Sequence, residues 1–201
     1  MHGASTQPTW GLGCAEEVWW SRLAHPEQHR WIAADRIPRL YALESAKEDA
    51  APKALACYGL LVRCSPQPAD QMLLRLVEGR PVSAVSVAFL AWWRERLAAQ
   101  GRTALVLIWD NASWHKSHAV RTGLPQHNQR VKATGDGVRI GACRLPVKSP
   151  WLKPIEAKWV HGKRAVAEVD RRLRAQELAS RVYAYYGCHP EAHLVMPEKV
   201  A

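Results

Sequence analysis

The sequence predicts an α/β protein in which helices flank a mixed β-sheet. Apolar runs of strand length and amphipathic segments follow one another in the order strands, helix, strand, strand, helices. With 201 residues the chain can bury a full core, and its hydrophobic fraction of 48% excludes a disordered protein. No apolar stretch is long enough to cross a bilayer and no signal peptide opens the chain, so we expect a soluble, cytoplasmic protein.

Strands are predicted in the first third of the chain. Trp10–Trp20 is apolar and rich in tryptophan, but Glu16 and Glu17 interrupt it, and two acids inside a strand are costly without partners or a cation. A second short strand is predicted at residues 30–32. Ala54–Arg63 is rich in apolar and aromatic residues and predicts a further strand.

The middle of the chain combines a helix with a central strand. Ser83–Gln100 has an apolar face of helical spacing, with Ser83 as the expected N-cap and Gly101 as the stop. Ala104–Trp109 is apolar on both faces, which favours a central strand covered by helices.

Two short elements and a loop are predicted after Asp110. Residues 115–122 predict a short helix, and residues 124–137 hold Pro125 and two glycines among few apolar residues, which indicates a surface loop. Residues 138–145 predict a strand.

The C-terminal third predicts two helices. Pro154 suits the first position of a helix, and apolar residues recur at helical intervals as far as Leu173. Ala175–Tyr186 predicts a second helix that ends at Gly187. We therefore expect one domain over residues 1–201, with residues 1–8 disordered and residues 175–201 forming a C-terminal helical extension.

The net charge of +10 is concentrated in one segment. Residues 115–175 hold 14 Lys or Arg against 4 Asp or Glu, whereas the two signs balance in the remainder. Such a surplus forms either an ordinary solvated face or a surface that binds phosphates, because clustered cations release counterions from a polyanion. Because this surplus directly follows Asp110 and surrounds Glu156, two carboxylates that could bind a metal ion, binding to a nucleic acid is favoured.

Cysteine and tryptophan patterns are less informative. Five cysteines without a CxxC spacing exclude a disulfide framework and a zinc knuckle, and Cys188 with His189 and His193 is best interpreted as a chance arrangement. The tryptophan pairs at 19–20 and 92–93 could stack on bases, but tryptophan is mostly buried, so core or interface packing is favoured.

Two carboxylates are placed as a metal site would require. Asp110 follows the central strand, and Glu156 lies in the first turn of the helix that begins at Pro154. Each alone is more often a turn or capping residue. Together, with a third acid from the first strand (Glu16 or Glu17), they could hold magnesium ions that act on phosphodiesters.

Three segments resemble the catalytic motifs of insertion-sequence transposases in the mariner-related DDE superfamily. Ile108–His115 (IWDNASWH) resembles the second-aspartate motif, in which apolar residues precede Asp-Asn, a small residue and a His. Leu145–Trp159 (LPVKSPWLKPIEAKW) resembles the third motif, in which Leu-Pro, Ser-Pro and Asn-Pro-Ile-Glu lead into a helix with a Trp. Glu16–Arg22 (EEVWWSR) resembles the first motif, usually Asp-Glu before an aromatic stretch. The similarity extends from about Trp10 to Arg174.

The resemblance implies a ribonuclease-H-like fold, a mixed five-stranded sheet with helices on both faces. It implies cleavage of transposon ends that depends on Mg²⁺ or Mn²⁺, followed by attack of the freed 3′-hydroxyl on target DNA. By position, Glu16, Asp110 and Glu156 would hold two metal ions, with Asp110 bridging them. His115 would lie near the scissile phosphate. The partners would be transposon-end and target DNA, bound by a homodimer associated with the bacterial nucleoid.

The resemblance also implies contacts to the DNA backbone from basic residues of the third motif and the helix that follows it. These residues are Lys148, Lys153, Lys158, Lys163 and Arg164.

The sequence departs from the family pattern in four respects. Glu16 stands where the family has Asp, and one more methylene misplaces a carboxylate in a site of strict geometry. Lys153 replaces the usual Asn before Pro154, so either a local cap is lost or a phosphate contact is gained. Asp110 and Glu156 lie 46 positions apart, a wide spacing that a loop at 124–137 would absorb. The sequence starts almost at the first predicted catalytic strand, so we expect the family's usual helix-turn-helix modules to be missing and the chain to resemble the catalytic half of a split or truncated transposase.

Two further hypotheses follow. The chain could be a catalytically silent remnant that only binds DNA or dimerises, which the Glu16 departure and the missing modules favour. It could also be a general ribonuclease-H-like nuclease in repair or RNA processing, but the match over Leu145–Trp159 counts against that.

Overall fold

A computed structural model describes residues 9–22, 50–64, 69–80, 82–146, 149, 152–166 and 172–195. Several expectations fall outside these residues: disorder at 1–8, a strand at 30–32, a backbone contact from Lys148, and the end of the C-terminal extension at 196–201.

The five strands form one mixed sheet in the order β3-β2-β1-β4-β5. β1, β2 and β3 are antiparallel neighbours, whereas β4 and β5 continue the sheet parallel to β1. This topology confirms the predicted ribonuclease-H-like, five-stranded sheet. The strands are β1 (Trp10–Ser21), β2 (Ala54–Cys64), β3 (Gln71–Val77), β4 (Ala104–Trp109) and β5 (Arg139–Arg144).

Helices cover both faces of the sheet, as predicted. One face carries α1 and α2, whose Trp93 and Val120 pack with Leu60 and Leu107 of the strands. The other carries α3 and α4, where Trp159 and Leu178 pack with the second half of the core. The helices are α1 (Ser83–Ala99), α2 (His118–Thr134), α3 (Pro154–Val166) and α4 (Ala175–Tyr185), with a 3₁₀ turn at Trp114–Lys116.

The loop predicted at 124–137 is wrong, because α2 continues through Pro125 to Thr134. The helix begins where the Ser117 hydroxyl accepts a hydrogen bond from the Val120 N–H, and it ends at Gly135, which has a positive φ of 71°. Its buried side chains are few, so the apolar period is too sparse to outweigh the proline and glycine signals. The wide spacing between Asp110 and Glu156 is therefore absorbed by a helix.

β3 is a strand that the sequence pattern did not indicate. Its residues QMLLRLV are buried on both faces, so they lack the alternation that marks a half-exposed strand. Other differences are small. Val82, and not Ser83, is the N-cap of α1, and Leu173 lies outside α3.

The tryptophan pairs are each half in the core. Within each tryptophan pair one member is buried, Trp20 at 2% and Trp93 at 0% exposure, which favours core packing. All five cysteines are free. None of the helices in the described part of the chain combines the length and apolar character that a membrane crossing needs.

Candidate functional site

The sheet and α3 bring Glu16, Asp110 and Glu156 to one place. β1 and β4 run parallel with Cys14 opposite Ile108, so Glu16 and Asp110, each two residues further on, lie side by side. α3 crosses β2 where Gly59 leaves room for the Trp159 ring, because a Cβ on Gly59 would come within 2.3 Å of that ring. This close approach places the first turn of α3, with Glu156, beside the two strands.

The Lys153 ammonium lies among the three carboxylates. Its Nζ donates hydrogen bonds to Glu16 Oε1 at 2.8 Å and to Asp110 Oδ2 at 3.1 Å, and it lies 3.9 Å from Glu156 Oε1. The side chain is buried, with 5% of Lys153 exposed. The expected contact between Lys153 and a DNA backbone is therefore not what the structure shows, because this charge faces the acids.

Burial and the Lys153 ammonium shift the pKa of Glu16 in opposite directions. Burial raises the pKa of Glu16 to about 7, although the hydrogen bond and charge of Lys153 oppose the rise. The second oxygen of Glu16, Oε2, is buried without a hydrogen-bond partner, which agrees with a carboxyl group that is easily protonated. Burial lowers the pKa of Lys153, but the hydrogen bonds and charges of Glu16 and Asp110 outweigh it and raise the pKa. The lysine therefore stays charged.

His115 connects the site to Glu17 on the opposite face of the sheet. Its Nδ1 lies 2.8 Å from Asp110 Oδ1 and its Nε2 lies 2.8 Å from Glu17 Oε1. Burial lowers the pKa of His115, but the two carboxylates outweigh burial and raise the pKa to about 9. The ring also stacks on Trp109 with centroids 4.5 Å apart. Because both ring nitrogens are engaged and the side chain is buried, His115 holds Asp110 in place, and the structure does not support the expected approach to a phosphate.

Asp110 is fixed from three sides. It accepts hydrogen bonds from His115, from the Ala112 N–H at 2.9 Å and from Lys153. The His115 hydrogen bond is the main cause that holds the pKa of Asp110 well below its usual range. The neighbouring Asn111 donates its side-chain N–H to the Leu145 carbonyl at 2.6 Å, which ties the end of β4 to the end of β5.

Sequence reasoning missed the roles of Glu17 and Lys153. The alternation of a strand places neighbouring residues on opposite faces, so the pair Glu16-Glu17 could not both join Asp110 on one face. The presence of Lys153 in place of the usual Asn was visible in the motif. The direction of the Lys153 side chain, however, depends on how α3 docks against the sheet.

A divalent metal ion does not fit these residues as they are arranged. Mg²⁺ takes oxygen ligands at about 2.0–2.1 Å. An ion bound to Glu16 Oε1 and Asp110 Oδ2 would need the space that the Lys153 ammonium occupies, and an ammonium has no lone pair to offer a metal. Over the described ranges, no three His, Cys, Asp or Glu side chains are placed so that they could hold a metal ion. The expected pair of metal ions shared by Glu16, Asp110 and Glu156 thus conflicts with the lysine.

The basic residues expected to contact DNA divide into two groups. Lys158, Lys163 and Arg164 are exposed along α3, between its first turn, which holds Glu156, and its end. Lys153 is buried in the acidic cluster.

Comparisons with known proteins agree on the fold. A model of the family described as DDE superfamily endonuclease matches residues 69–178, more than half of the chain. The Mos1 transposase paired-end complex with left transposon end has a TM-score of 0.60 at 14% identity, over 89% of this chain and 48% of that chain. The Mos1 mariner paired end complex with Mn has a TM-score of 0.57 at 14% identity, over 89% and 48%.

The Mos1 strand transfer complex also shares the fold, with a TM-score of 0.54 at 14% identity, over 88% of this chain and 49% of that chain. The chain spans about half the length of the Mos1 chains that it matches. No curated protein matches the sequence.

Proposed function

Because the chain belongs to the DDE superfamily endonuclease family, we propose that it binds DNA as a transposase-type domain whose acidic site, as its residues stand, does not cleave the strand. The single observation that carries this proposal is the Lys153 ammonium, 2.8 Å from Glu16 and 3.1 Å from Asp110. A covalently attached cation in that position competes with any divalent ion for the same oxygens.

The basic charge supports DNA binding. The net charge of +10 arises in residues 115–175, which include Lys153 and Glu156 of the acidic site, and α3 exposes Lys158, Lys163 and Arg164 along the helix that begins at that site. Exposed cations bind phosphates and release counterions, which gives affinity without base recognition. The Mos1 structures of similar fold include a complex with the left transposon end. We extend the proposal to a homodimer on transposon-end and target DNA, and to association with the bacterial nucleoid.

A second candidate is metal-dependent cleavage and strand transfer, in which a freed 3′-hydroxyl attacks target DNA. The convergence of Glu16, Asp110 and Glu156 at one end of the sheet favours it. So do the Mos1 structures with Mn and with Mg. This candidate requires the Lys153 side chain to leave the acidic cluster.

Two assays on the purified chain separate the candidates. DNA binding is measured by fluorescence anisotropy in EDTA, Mg²⁺ and Mn²⁺, and strand cleavage by nicking of supercoiled plasmid, with Asp110→Ala as the matched variant. We expect salt-sensitive DNA binding that persists in EDTA, and no nicking by either protein.

Absence of DNA binding at low salt would overturn the proposal. Nicking that needs a divalent ion and is lost in Asp110→Ala would establish the second candidate instead. Light scattering of the DNA complex tests the homodimer, because a single copy per DNA molecule would contradict it.

A further inference from the structure

The two substitutions within the catalytic motifs contact each other. Glu16 stands where the resembling motif has Asp, and Lys153 stands where it has Asn. They are 137 positions apart in sequence, yet Lys153 Nζ donates to Glu16 Oε1 at 2.8 Å. We propose that Glu16 and Lys153 are a coupled replacement for a divalent metal ion, in which the lysine ammonium is the cation that holds β1, β4 and α3 together. This inference rests on the proposed DNA-binding function. It gives the Glu16–Lys153 pair as the reason why the acidic site does not cleave DNA.

The three carboxylates of the cluster are stabilised by a nearby cation. Glu16, Asp110 and Glu156 would place three like charges within reach of one point, and such carboxylates repel one another unless a cation or protons intervene. In this chain the ammonium lies between them, and its buried side chain cannot diffuse away. The start of α3 adds partial positive charge on the same side. The cation is therefore built into the polypeptide at the residue before Pro154.

The length of Glu16 matches the position of the lysine. A glutamate carries its carboxylate one methylene further than an aspartate, so it reaches the ammonium that enters from α3. An asparagine at 153 would be neutral and would leave the carboxylates without this charge. The two substitutions are thus expected to act together: the pair Glu and Lys holds an ammonium, and the pair Asp and Asn leaves a site that needs a metal ion.

The test uses the full chain without DNA. Wild type, Glu16→Asp, Lys153→Asn and the double variant are compared for Mn²⁺ binding by electron paramagnetic resonance and for thermal midpoint in EDTA and in Mn²⁺. Wild type should neither bind Mn²⁺ nor gain thermal stability from it. Lys153→Asn should unfold at a lower temperature in EDTA and recover in Mn²⁺. The double variant should bind Mn²⁺, at concentrations about tenfold or more below the highest at which wild type shows no binding.

The matched control is Lys132→Asn, which replaces an exposed lysine of α2. It should change neither Mn²⁺ binding nor the thermal midpoint. The inference is overturned if wild type binds Mn²⁺ as tightly as the double variant, or if Lys153→Asn is as stable as wild type in EDTA. Should both Lys153 variants fail to fold, the wild-type measurement alone still decides, because Mn²⁺ binding or stabilisation there contradicts the lysine as the resident cation. These results do not depend on DNA, so they are separate from the DNA-binding test of the proposed function.

Discussion

Glu16 and Glu17 are neighbours on β1, but their carboxylates lie on opposite faces of the sheet, where Glu16 contacts Lys153 and Glu17 contacts His115. Asp110 joins the two contacts, because its Oδ1 meets His115 and its Oδ2 meets Lys153. Acids and bases therefore alternate along one line through the end of the sheet. Each charge in this line is balanced by an opposite charge next to it. Removing one side chain therefore leaves the charge of its neighbour less well compensated.

The stability of the protein should depend on pH through His115. The folded pKa of His115 is raised to about 9 from an ordinary value of 6.5, so its contribution is full below pH 6.5 and is lost as the pH rises through 9. We expect the free energy of unfolding to fall by about 1–3 kcal/mol over that interval, as such a shift implies. Denaturant unfolding at a series of pH values measures it.

His115→Gln is the matched variant for that measurement. It keeps hydrogen-bonding capacity but cannot carry a charge, so its stability should be flatter between pH 6.5 and 9. Parallel curves for the two proteins would show that the histidine is not charged in the folded state. Glu16 titrates near pH 7, so the upper half of the interval reports His115 most cleanly.

Close contact between Gly59 and Trp159 should be essential for docking α3. A Cβ at Gly59 would lie 2.3 Å from the Trp159 ring, which is itself buried. Gly59→Ala should destabilise the protein by about 1–3 kcal/mol through overpacking. Gly123→Ala is the control, because its Cβ would meet nothing within 4 Å inside α2, and there alanine should stabilise by about 0.5–1 kcal/mol. Equal stability of Gly59→Ala and wild type in thermal unfolding would show that α3 docks differently.

The salt dependence of DNA binding should identify the surface of the protein that contacts DNA. Lys158 and Lys163 are exposed on α3, the helix whose first turn carries Glu156, and replacing both by alanine should reduce the slope of log affinity against log salt by about 2. The control replaces Arg63 and Arg139, which pair in register with Leu12 and Ala104 near the starts of β1 and β4, at the end of the sheet away from the acidic cluster. Anisotropy titrations at several salt concentrations measure both slopes. An equal reduction of the slope in the two double variants would mean that DNA contacts are not concentrated on α3.

Much of the fold could be predicted from local pattern. β1, β2, β4 and β5 carry apolar runs of strand length, and α1, α3 and α4 carry helical spacing or start and stop signals. β3 and α2 could not be predicted in this way. β3 is buried on both faces and so shows no alternation, whereas α2 stays helical through Pro125 but buries too few side chains to mark an apolar face in the sequence.

The candidate site, like the fold, could be predicted only in part. The positions of Asp110 and Glu156 follow from the motifs, since one ends a strand and the other begins a helix. The partners of Glu17 and Lys153 could not be predicted, because they depend on which face a strand residue takes and on how α3 crosses β2. Lys153 was expected at a DNA surface because it belongs to the third motif and to the basic segment around it, and only the folded chain places it among acids.

A crystal of the wild-type chain soaked in Mn²⁺ tests the central claim most directly, through anomalous scattering at the manganese edge. We predict no manganese bonded to Asp110 Oδ2, with Lys153 Nζ still within hydrogen-bond distance of Glu16 Oε1, as in the structure at 2.8 Å. Manganese ligated by Glu16, Asp110 and Glu156, with the Lys153 side chain turned away, would contradict it.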